Sequence, residues 1–414
     1  MKILPIPAGM KDVLPPEAGE LRFLEDAIRG VFAGFGYGEV MTPTLELEAV
    51  LEKAGERRFK RSFRLFDENG NVMVLRPDMT APIARLAATR LADRNPPHRL
   101  CYFANSFRPT RPQRGRRSEF YQAGLELIGD DSDAGDAEAL AIACRALDAC
   151  GLRDYSIVMG EVSFFRSLLD SAGVSGAGRE AVFSALAARD MVELGAVISG
   201  LEIDADDRQA ILDVVSLRGG SEILTTALDL VRGPGMEEAL KRLARTLYLV
   251  GRHGFAGRIL IDLGLLRNFE YYTGIVFEVL SGGLGFPLGG GGRYDGLLGK
   301  FGRPGPAVGF AVGLDRLHIA LMEEGGLDLP RIPGAALVGG MDSEIELAMN
   351  LRDKGIRVLS IAGDVADEEA RRLAADAGLS YVVIPADGRY RLEGGGGVQT
   401  LDRDEVAGRI ESQP

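Results

Sequence analysis

The segment FRPTRPQRGRRSEFYQAGLELIG, residues 107–129, carries concentrated positive charge in an acidic chain. Residues 95–118 contain six arginines and no acidic residue, whereas the whole chain of 414 residues has a formal net charge of −12. A local cluster of arginines in an acidic protein indicates a site for an anion. A solvated loop that balances an acidic neighbour explains the charge equally well.

Two strand-like runs, at residues 99–107 and 119–128, enclose these arginines and predict a hairpin. Gln122 and Glu126 are four residues apart, so on a strand their side chains point to the same face. Arginines beside an amide and a carboxylate could bind a phosphate and an ammonium or imidazolium group. The alternative is a surface hairpin that merely carries arginines.

The rest of the chain predicts an α+β fold with mostly antiparallel strands, because helices do not separate each neighbouring pair of strands. Residues 162–253 have helical periodicity and no convincing strand, which predicts an inserted helical subdomain. After residue 325 a β-α-β-α-β pattern predicts a small open α/β domain. We therefore predict a core at 1–325, with its insertion at about 162–253, and a second domain at 331–414.

The predicted elements of the core lie on both sides of the hairpin. Helices are predicted at 16–33 and 136–150, and strands at 62–66, 72–75, 99–107, 119–128 and 155–159. Extended segments return in RILIDLGLL (258–266), EYYTGIVFEVL (270–280) and LGGGGRYDGLLGKFG (288–302), and VGFAVGLDRLHIALM (308–322) reads as a strand leading into a helix.

Composition excludes several classes of function. A net charge of −12 argues against a general nucleic-acid binder, whose affinity comes mainly from phosphate neutralisation. Three cysteines and three histidines without metal-site spacing predict no metal site and a reduced, cytoplasmic protein. No run approaches the ~18 apolar residues of a membrane span, and the first residues do not resemble a signal peptide.

Two further clusters contain candidate site residues. LRPDMTAPIAR (75–85) places Asp78 and Thr80 near the start of a helix, where such residues cap a helix more often than they form a site. LLRNFEYYTG (265–274) places Arg267 ahead of Tyr271 and Tyr272, although paired tyrosines at the start of a strand usually pack in a core.

Taken in order, these segments resemble the class II aminoacyl-tRNA synthetase core, and within it the histidyl branch. GYGEVMTPTLE (36–46) is similar to motif 1, residues 107–129 to motif 2, and VGFAVGLDRLHIAL (308–321) to motif 3. LLRNFEYYTG and GGGGRYDG are similar to two segments of histidyl enzymes. The resemblance covers about residues 5–325 and implies an antiparallel sheet flanked by helices, with a helical insertion between motifs 2 and 3.

The resemblance also implies roles for individual residues. A histidine-binding pocket would be formed by Asp78, Thr80, Arg108, Gln122, Glu126, Arg267, Tyr271 and Tyr272. Nucleotide or phosphate groups would contact Arg108, Arg116 and Arg316.

Five features depart from the synthetase pattern, and two of them, at Thr110 and Ser118, weaken its nucleotide side. The R-G-L-D that the family has before the paired tyrosines is Arg267-Asn268-Phe269-Glu270 here. Thr110 stands where a glutamate serves adenine recognition, and Ser118 stands where a loop arginine is expected. Asp78 and Met79 replace a Glu-Gly pair. Residues 335–414 carry a net charge of −6, from 15 acids and nine basic residues, and lack a basic face that could bind tRNA.

These departures point to a non-synthetase family, the ATP phosphoribosyltransferase regulatory subunits. LRPDMTAPIAR, LCYFANSFRPTRP (100–112) and DLGLLRNFEYYTG (262–274) resemble that family. Membership implies a protein with no catalytic residue and no cofactor, paired with a short-form catalytic subunit in the first step of histidine biosynthesis. It also implies allosteric inhibition by L-histidine and a motif 1 homodimer within a larger hetero-oligomer, without tRNA or membrane.

Two alternatives stay open on the sequence. The chain could be a histidyl-tRNA synthetase, which activates histidine with ATP and charges tRNA. For a regulatory subunit, histidine could bind either in the synthetase-like pocket or between the two proteins.

Overall fold

The chain forms two units, Met1–Leu327 and Asp328–Pro414, in a computed structural model. The structure describes residues 5–55, 62–110, 117–265, 271–327, 329, 333–363 and 365–412. Within these ranges no helix is long and apolar enough to cross a membrane. All three cysteines are free and buried.

The first unit alternates strands and helices around one large sheet. Its elements are α1 (Glu17–Gly34), β1 (Gly38–Glu39), β2 (Leu45–Leu47), α2 (Glu48–Ala54), β3 (Arg64–Phe66), β4 (Val72–Leu75), α3 (Thr80–Arg90), β5 (His98–Phe107), β6 (Glu119–Ile128), α4 (Asp133–Ala149), β7 (Tyr155–Glu161), α5 (Val162–Ser171), α6 (Gly176–Ala188), α7 (Met191–Ser199), α8 (Ala205–Ser216), β8 (Arg218–Gly219), α9 (Ile223–Leu228), α10 (Pro234–Arg252), β9 (Ile259–Asp262), β10 (Ile275–Ser281), β11 (Gly289–Arg293), α11 (Gly296–Lys300), β12 (Ala307–Gly313) and α12 (Leu314–Glu323).

The large sheet has the strand order β1-β5-β6-β12-β11-β10-β7-β9-β8. In this sheet each pair of neighbours from β5 through β6, β12, β11 and β10 to β7 is antiparallel, as is the β9–β8 pair. The β1–β5 and β7–β9 pairs are parallel. The predicted hairpin is β5 and β6, two strands of ten residues each. The predicted α+β class and antiparallel core are therefore confirmed.

Helices α5 to α10 form the insertion between β7 and β9, where helical periodicity predicted it. The prediction of no strand in this region is wrong at one place, since β8 pairs antiparallel with β9 at the edge of the large sheet. β8 is only two residues long, so it leaves no alternating pattern in the sequence.

A buried ion pair joins the sheet to α4. Arg293, at the end of β11, is 1% exposed and donates to Asp136 Oδ1 from Nε at 2.8 Å. Its Nη1 donates to the carbonyl oxygen of Asp130 at 2.9 Å and to Asp295 Oδ1 at 3.2 Å. Arg242 of α10 lies 3.4 Å from the second oxygen of Asp136. The pair therefore connects the hairpin, α4 and the insertion at one point.

The second unit is a five-stranded sheet with helices on both faces. Its elements are β13 (Gly334–Val338), α13 (Asp342–Asp353), β14 (Arg357–Ile361), α14 (Asp367–Asp376), β15 (Tyr381–Ala386), β16 (Arg389–Gly394), β17 (Gly397–Leu401) and α15 (Arg403–Glu411), in the strand order β14-β13-β15-β16-β17. The predicted β-α-β-α-β pattern covers only β13 to β15. It omitted the β16–β17 hairpin and α15. Residues 389–393 (RYRLE) do alternate charged and apolar side chains, but the four glycines at 394–397 interrupt the pattern before β17.

We expect Asp136→Ala to lower the free energy of unfolding by about 3–5 kcal/mol, because it leaves the Arg293 guanidinium buried without its main partner. The measurement is unfolding by guanidinium chloride, monitored by circular dichroism. Glu238→Ala is the control, since this side chain is 61% exposed in its pair with Arg245 and should change stability by less than about 1 kcal/mol. Equal losses for the two variants would contradict the structural role of Asp136.

Candidate ligand-binding site

A pocket of about 760 Å³ lies over one face of the large sheet in the first unit. Its volume is within the usual range of small-molecule sites. It is lined by eight of the ten predicted site residues: Asp78, Thr80, Arg108, Gln122, Glu126, Tyr271, Tyr272 and Arg316. The other two, Arg116 and Arg267, lie outside the residues that the structure describes.

Glu126 lies on the floor of the pocket in β6 and is 2% exposed. Its cross-strand neighbour on β12 is Gly309, where a Cβ atom would lie 1.9 Å from Glu126 Oε2. The hydroxyls of Tyr294 and Thr80 donate to the Glu126 carboxylate. Burial raises the pKa of Glu126 to about 8, although these two hydroxyls oppose the shift.

Asp78 and Thr80 reach the pocket from the start of α3. The alternative that they cap this helix is not supported, since its N-cap is Met79 and no side chain caps it. Asp78 Oδ1 and Gln122 Oε1 are buried and accept no hydrogen bond from any residue that the structure describes. Two carboxyl groups and an amide oxygen therefore face the cavity, and a ligand that fills it must supply hydrogen-bond donors.

Tyrosine rings form the wall next to Glu126. The Tyr271 ring stacks on Tyr294 with centroids 5.2 Å apart and meets Tyr272 edge-on at 5.1 Å. The Tyr102 ring lies over Gly124, where a Cβ atom would be 2.4 Å from the tyrosine hydroxyl. A planar, partly polar group can pack against a wall of such rings.

Two arginines bring positive charge to the pocket. Arg108 Nε donates to the carbonyl oxygen of Pro77 at 2.8 Å, and its guanidinium lies 3.7 Å from Asp78 Oδ2. Arg316 Nη1 donates to the carbonyl oxygen of Pro287 at 2.7 Å. The guanidinium of Arg316 lies 5.6 Å from the ring centroid of Phe286. Both groups are held in place and can bind a carboxylate or phosphate.

The two departures on the nucleotide side occupy different environments. Ser118 is 2% exposed, and its backbone N–H donates to the carbonyl oxygen of Gly9 at 2.8 Å. A Cβ atom at Gly9 would lie 2.3 Å from Ser118 Oγ, so a longer side chain at 118 could not occupy this space. Thr110 lines the pocket but offers a hydroxyl where a synthetase has a carboxylate.

Sequence reasoning did not single out Tyr294, the hydroxyl donor to Glu126. It lies in GGGGRYDG, where the glycines drew attention and the tyrosine did not. Glu278 was also missed, a pocket residue whose Oε2 accepts from Arg189 Nη2 of the insertion at 3.1 Å. Glu278 lies within β10, and the sequence does not show which face of this strand points to the pocket. The pairing of β10 with β11 places it there.

Known proteins resemble this chain over nearly its whole length. A family model described as histidyl-tRNA synthetase matches residues 9–317. The ATP phosphoribosyltransferase regulatory subunit of Moorella thermoacetica is 41% identical over 91% of this chain and 97% of its own length. The protein of the same name from Rubrobacter xylanophilus is 38% identical over 97% of this chain and 96% of its own length.

The chain belongs to the family of ATP phosphoribosyltransferase regulatory subunits. The family is named for regulation and not for catalysis. A structure from Bacillus halodurans, described as an ATP phosphoribosyltransferase regulatory subunit/histidyl-tRNA synthetase, superposes with a TM-score of 0.82 at 32% identity, covering 93% of this chain and 98% of that one.

A second structure shows how far the fold extends beyond this family. The histidyl-tRNA synthetase of a Nostoc species superposes over 100% of both chains with a TM-score of 0.84, at 23% identity. At this identity the likeness concerns the fold alone. The predicted class II synthetase-like architecture is confirmed, including a counterpart for the second unit.

The stability of the protein should depend on pH through Glu126. The pKa of this carboxyl group is about 8 in the folded chain against an ordinary 4.5, so the folded state binds its proton more tightly. The contribution of Glu126 to stability is therefore present below about pH 4.5 and is lost as the pH rises through about 8.

We expect Glu126→Gln to become progressively more stable than the wild type as the pH is raised from 5 to 8, in urea titrations at each pH. Glu238→Gln, at an exposed position on α10, should track the wild type at every pH. A Glu126→Gln curve that also stays parallel to the wild type would show that burial does not perturb Glu126.

Proposed function

We propose that the chain regulates a short-form ATP phosphoribosyltransferase and that its pocket binds L-histidine. The buried Glu126 carboxylate carries the proposal. In the described part of the chain it is satisfied by two hydroxyls, and the acceptors Asp78 Oδ1 and Gln122 Oε1 lie in the same pocket without a donor. An α-ammonium group and an imidazole N–H supply the donors that these oxygens lack.

The other groups of the pocket suit the remainder of a histidine molecule. The guanidinium of Arg108 offers paired donors for the ligand carboxylate. The stacked rings of Tyr271 and Tyr294 provide a flat apolar surface for an imidazole ring. We infer that Arg267, the remaining residue of the predicted histidine pocket, also contacts the ligand. In a regulatory subunit this binding would shift an equilibrium of the catalytic partner and would perform no chemistry.

Several features favour regulation over tRNA charging. Thr110 removes a carboxylate from the nucleotide side, and buried Ser118 replaces a loop arginine. The net charge of −6 on residues 335–414 supports a role without tRNA. Arg108, Arg116 and Arg316 would then hold a phosphate or carboxylate without activating an amino acid. We place the protein in the cytoplasm, as a homodimer through the motif 1 region within a larger hetero-oligomer.

Isothermal titration calorimetry tests the pocket. Above about pH 8, where Glu126 is ionised, we expect L-histidine to bind the wild type and Glu126→Gln to bind it about 10- to 100-fold more weakly, because a charge-assisted hydrogen bond is worth roughly 1.5–3 kcal/mol. Glu238→Gln should bind like the wild type. Equal affinities for the wild type and Glu126→Gln would remove this pocket from the mechanism and favour a histidine site between the two proteins.

A reconstituted complex tests the regulatory role. We expect a short-form ATP phosphoribosyltransferase to be active with this chain, to be nearly inactive without it, and to be inhibited by L-histidine. The complex with Glu126→Gln should keep its activity and require about 10-fold or more histidine for inhibition. Histidine-dependent exchange of pyrophosphate into ATP by the isolated chain would contradict the proposal and identify a synthetase.

A further inference from the structure

Two helices of the insertion, α6 and α7, are joined by only two residues, Arg189 and Asp190. The backbone N–H groups of both residues donate to carbonyl oxygens in the last turn of α6, each at 3.0 Å. The Asp190 carboxylate accepts from two backbone N–H groups in the first turn of α7. Residues 176–199, which we call the corner, therefore form a stiff unit with a fixed angle between its two helices.

Arg189 has an unusual backbone conformation. It directly follows α6 with φ 56° and ψ 32°, in the left-handed region. Glycine is the usual residue at such a helix end, because other residues are strained there. Asp387 is the other non-glycine residue with a positive φ in the described part of the chain. Strained residues cluster at functional sites, which indicates that the Arg189 side chain has a role that glycine could not fill.

The Arg189 side chain connects the corner to the floor of the pocket. Its Nη2 donates to Oε2 of Glu278 on β10 at 3.1 Å. The Glu278 side chain is 5% exposed, whereas the Arg189 side chain is 67% exposed. Glu278 lines the pocket, as does Ala187, two residues before Arg189. The ion pair therefore holds the corner against one end of the pocket from the solvent side.

This end of the pocket is remote from Glu126. Cross-strand pairing runs from Glu278 through Gly290 and Ala311 to Gly124, which lies two residues before Glu126 on β6. Three strand spacings of ~4.8 Å and two rises of ~3.4 Å per residue separate the Cα atoms of the two glutamates by about 16 Å. One histidine molecule is too short to contact both carboxyl groups. A ligand at Glu126 therefore leaves the Arg189–Glu278 pair untouched.

Other parts of the insertion are attached more firmly. α10 is joined to α4 through the pairs of Arg242 with Asp136 and of Arg245 with Asp133. β8, which follows α8, pairs with β9 in the large sheet. The corner lies between α5 and α8 in the chain and reaches the sheet through an arginine that is mostly exposed to water. Exposed ion pairs are weak, so this attachment opens readily.

We propose that the corner is a lid on the pocket and that the Arg189–Glu278 ion pair is its latch. When the latch is closed, the corner obstructs one end of the pocket and slows the entry and the exit of a ligand. Because a ligand at Glu126 contacts neither partner of the pair, the latch changes its binding rates and leaves its affinity nearly unchanged. The gating of histidine rests on the proposed histidine site, whereas the lid itself does not.

Distance measurements test the lid without any ligand. Spin labels can be attached at two exposed positions, Val192→Cys on the corner and Met322→Cys on α12, because all three native cysteines are buried. With Arg189 present, we expect double electron–electron resonance to show one narrow distance distribution. Arg189→Gly removes the latch and suits the left-handed end of α6, and it should add a second population at another distance.

Arg218→Ala is the matched control for this measurement. Arg218 is also an insertion arginine, 69% exposed, and it pairs with Asp262, which does not line the pocket. This control should keep the single distribution, and circular dichroism should show the same fold for all the proteins. An unchanged single distribution in Arg189→Gly overturns the lid.

Stopped-flow binding of L-histidine tests the gating. The chain has no tryptophan, so the fluorescence of its tyrosines can report binding. We expect Arg189→Gly to raise the association and dissociation rate constants together, about three- to tenfold, and to leave the dissociation constant within about twofold of the wild type. Arg189→Lys keeps the charge and should lie closer to the wild type.

Unchanged rate constants in Arg189→Gly, or a loss of affinity that comes from the dissociation rate constant alone, would overturn the gating. If neither the wild type nor any variant binds histidine, the proposed function fails, and the distance measurement still decides whether the corner is a lid.

Discussion

The burial of one carboxylate, Glu126, governs the arrangement of the pocket. Ionising a carboxyl group in a protein interior is costly, so burial raises the pKa of Glu126 to about 8, and the hydroxyls that partly offset this cost come from distant parts of the chain. Thr80 arrives from the start of α3 and Tyr294 from the end of β11. Gly309 leaves the space that the carboxylate occupies. Strand register, glycine placement and the position of α3 are therefore all required by this one group.

The two sides of this pocket differ in their chemistry. The acceptors Asp78, Gln122 and Glu126 face the cavity in a form that suits a cationic ligand rich in donors. On the other side, Ser118 is packed against the backbone at Gly9 and Thr110 supplies no charge. This division agrees with membership of a family named for regulation in which the synthetase fold is retained.

Local pattern predicted much of this architecture. The ten-residue alternation of β5 and β6 identified the central hairpin and placed Gln122 and Glu126 on one face, because both properties depend on neighbouring residues. Tyr294 was not predictable in this way, since its contact with Glu126 joins strands that are far apart in the sequence. β8 was missed because two residues carry no periodicity, and the β16–β17 hairpin was missed because four glycines interrupt the alternating pattern between its strands. Glu46 of β2 is likewise buried only because its carboxylate pairs with Arg85, 39 residues away.

A crystal structure of the complex with a short-form ATP phosphoribosyltransferase, grown with L-histidine, would show where histidine binds. We expect histidine in the pocket of this chain, with a ligand nitrogen within about 3 Å of a Glu126 carboxylate oxygen. Histidine bound only at the boundary between the two proteins, with the pocket around Glu126 empty, would contradict it.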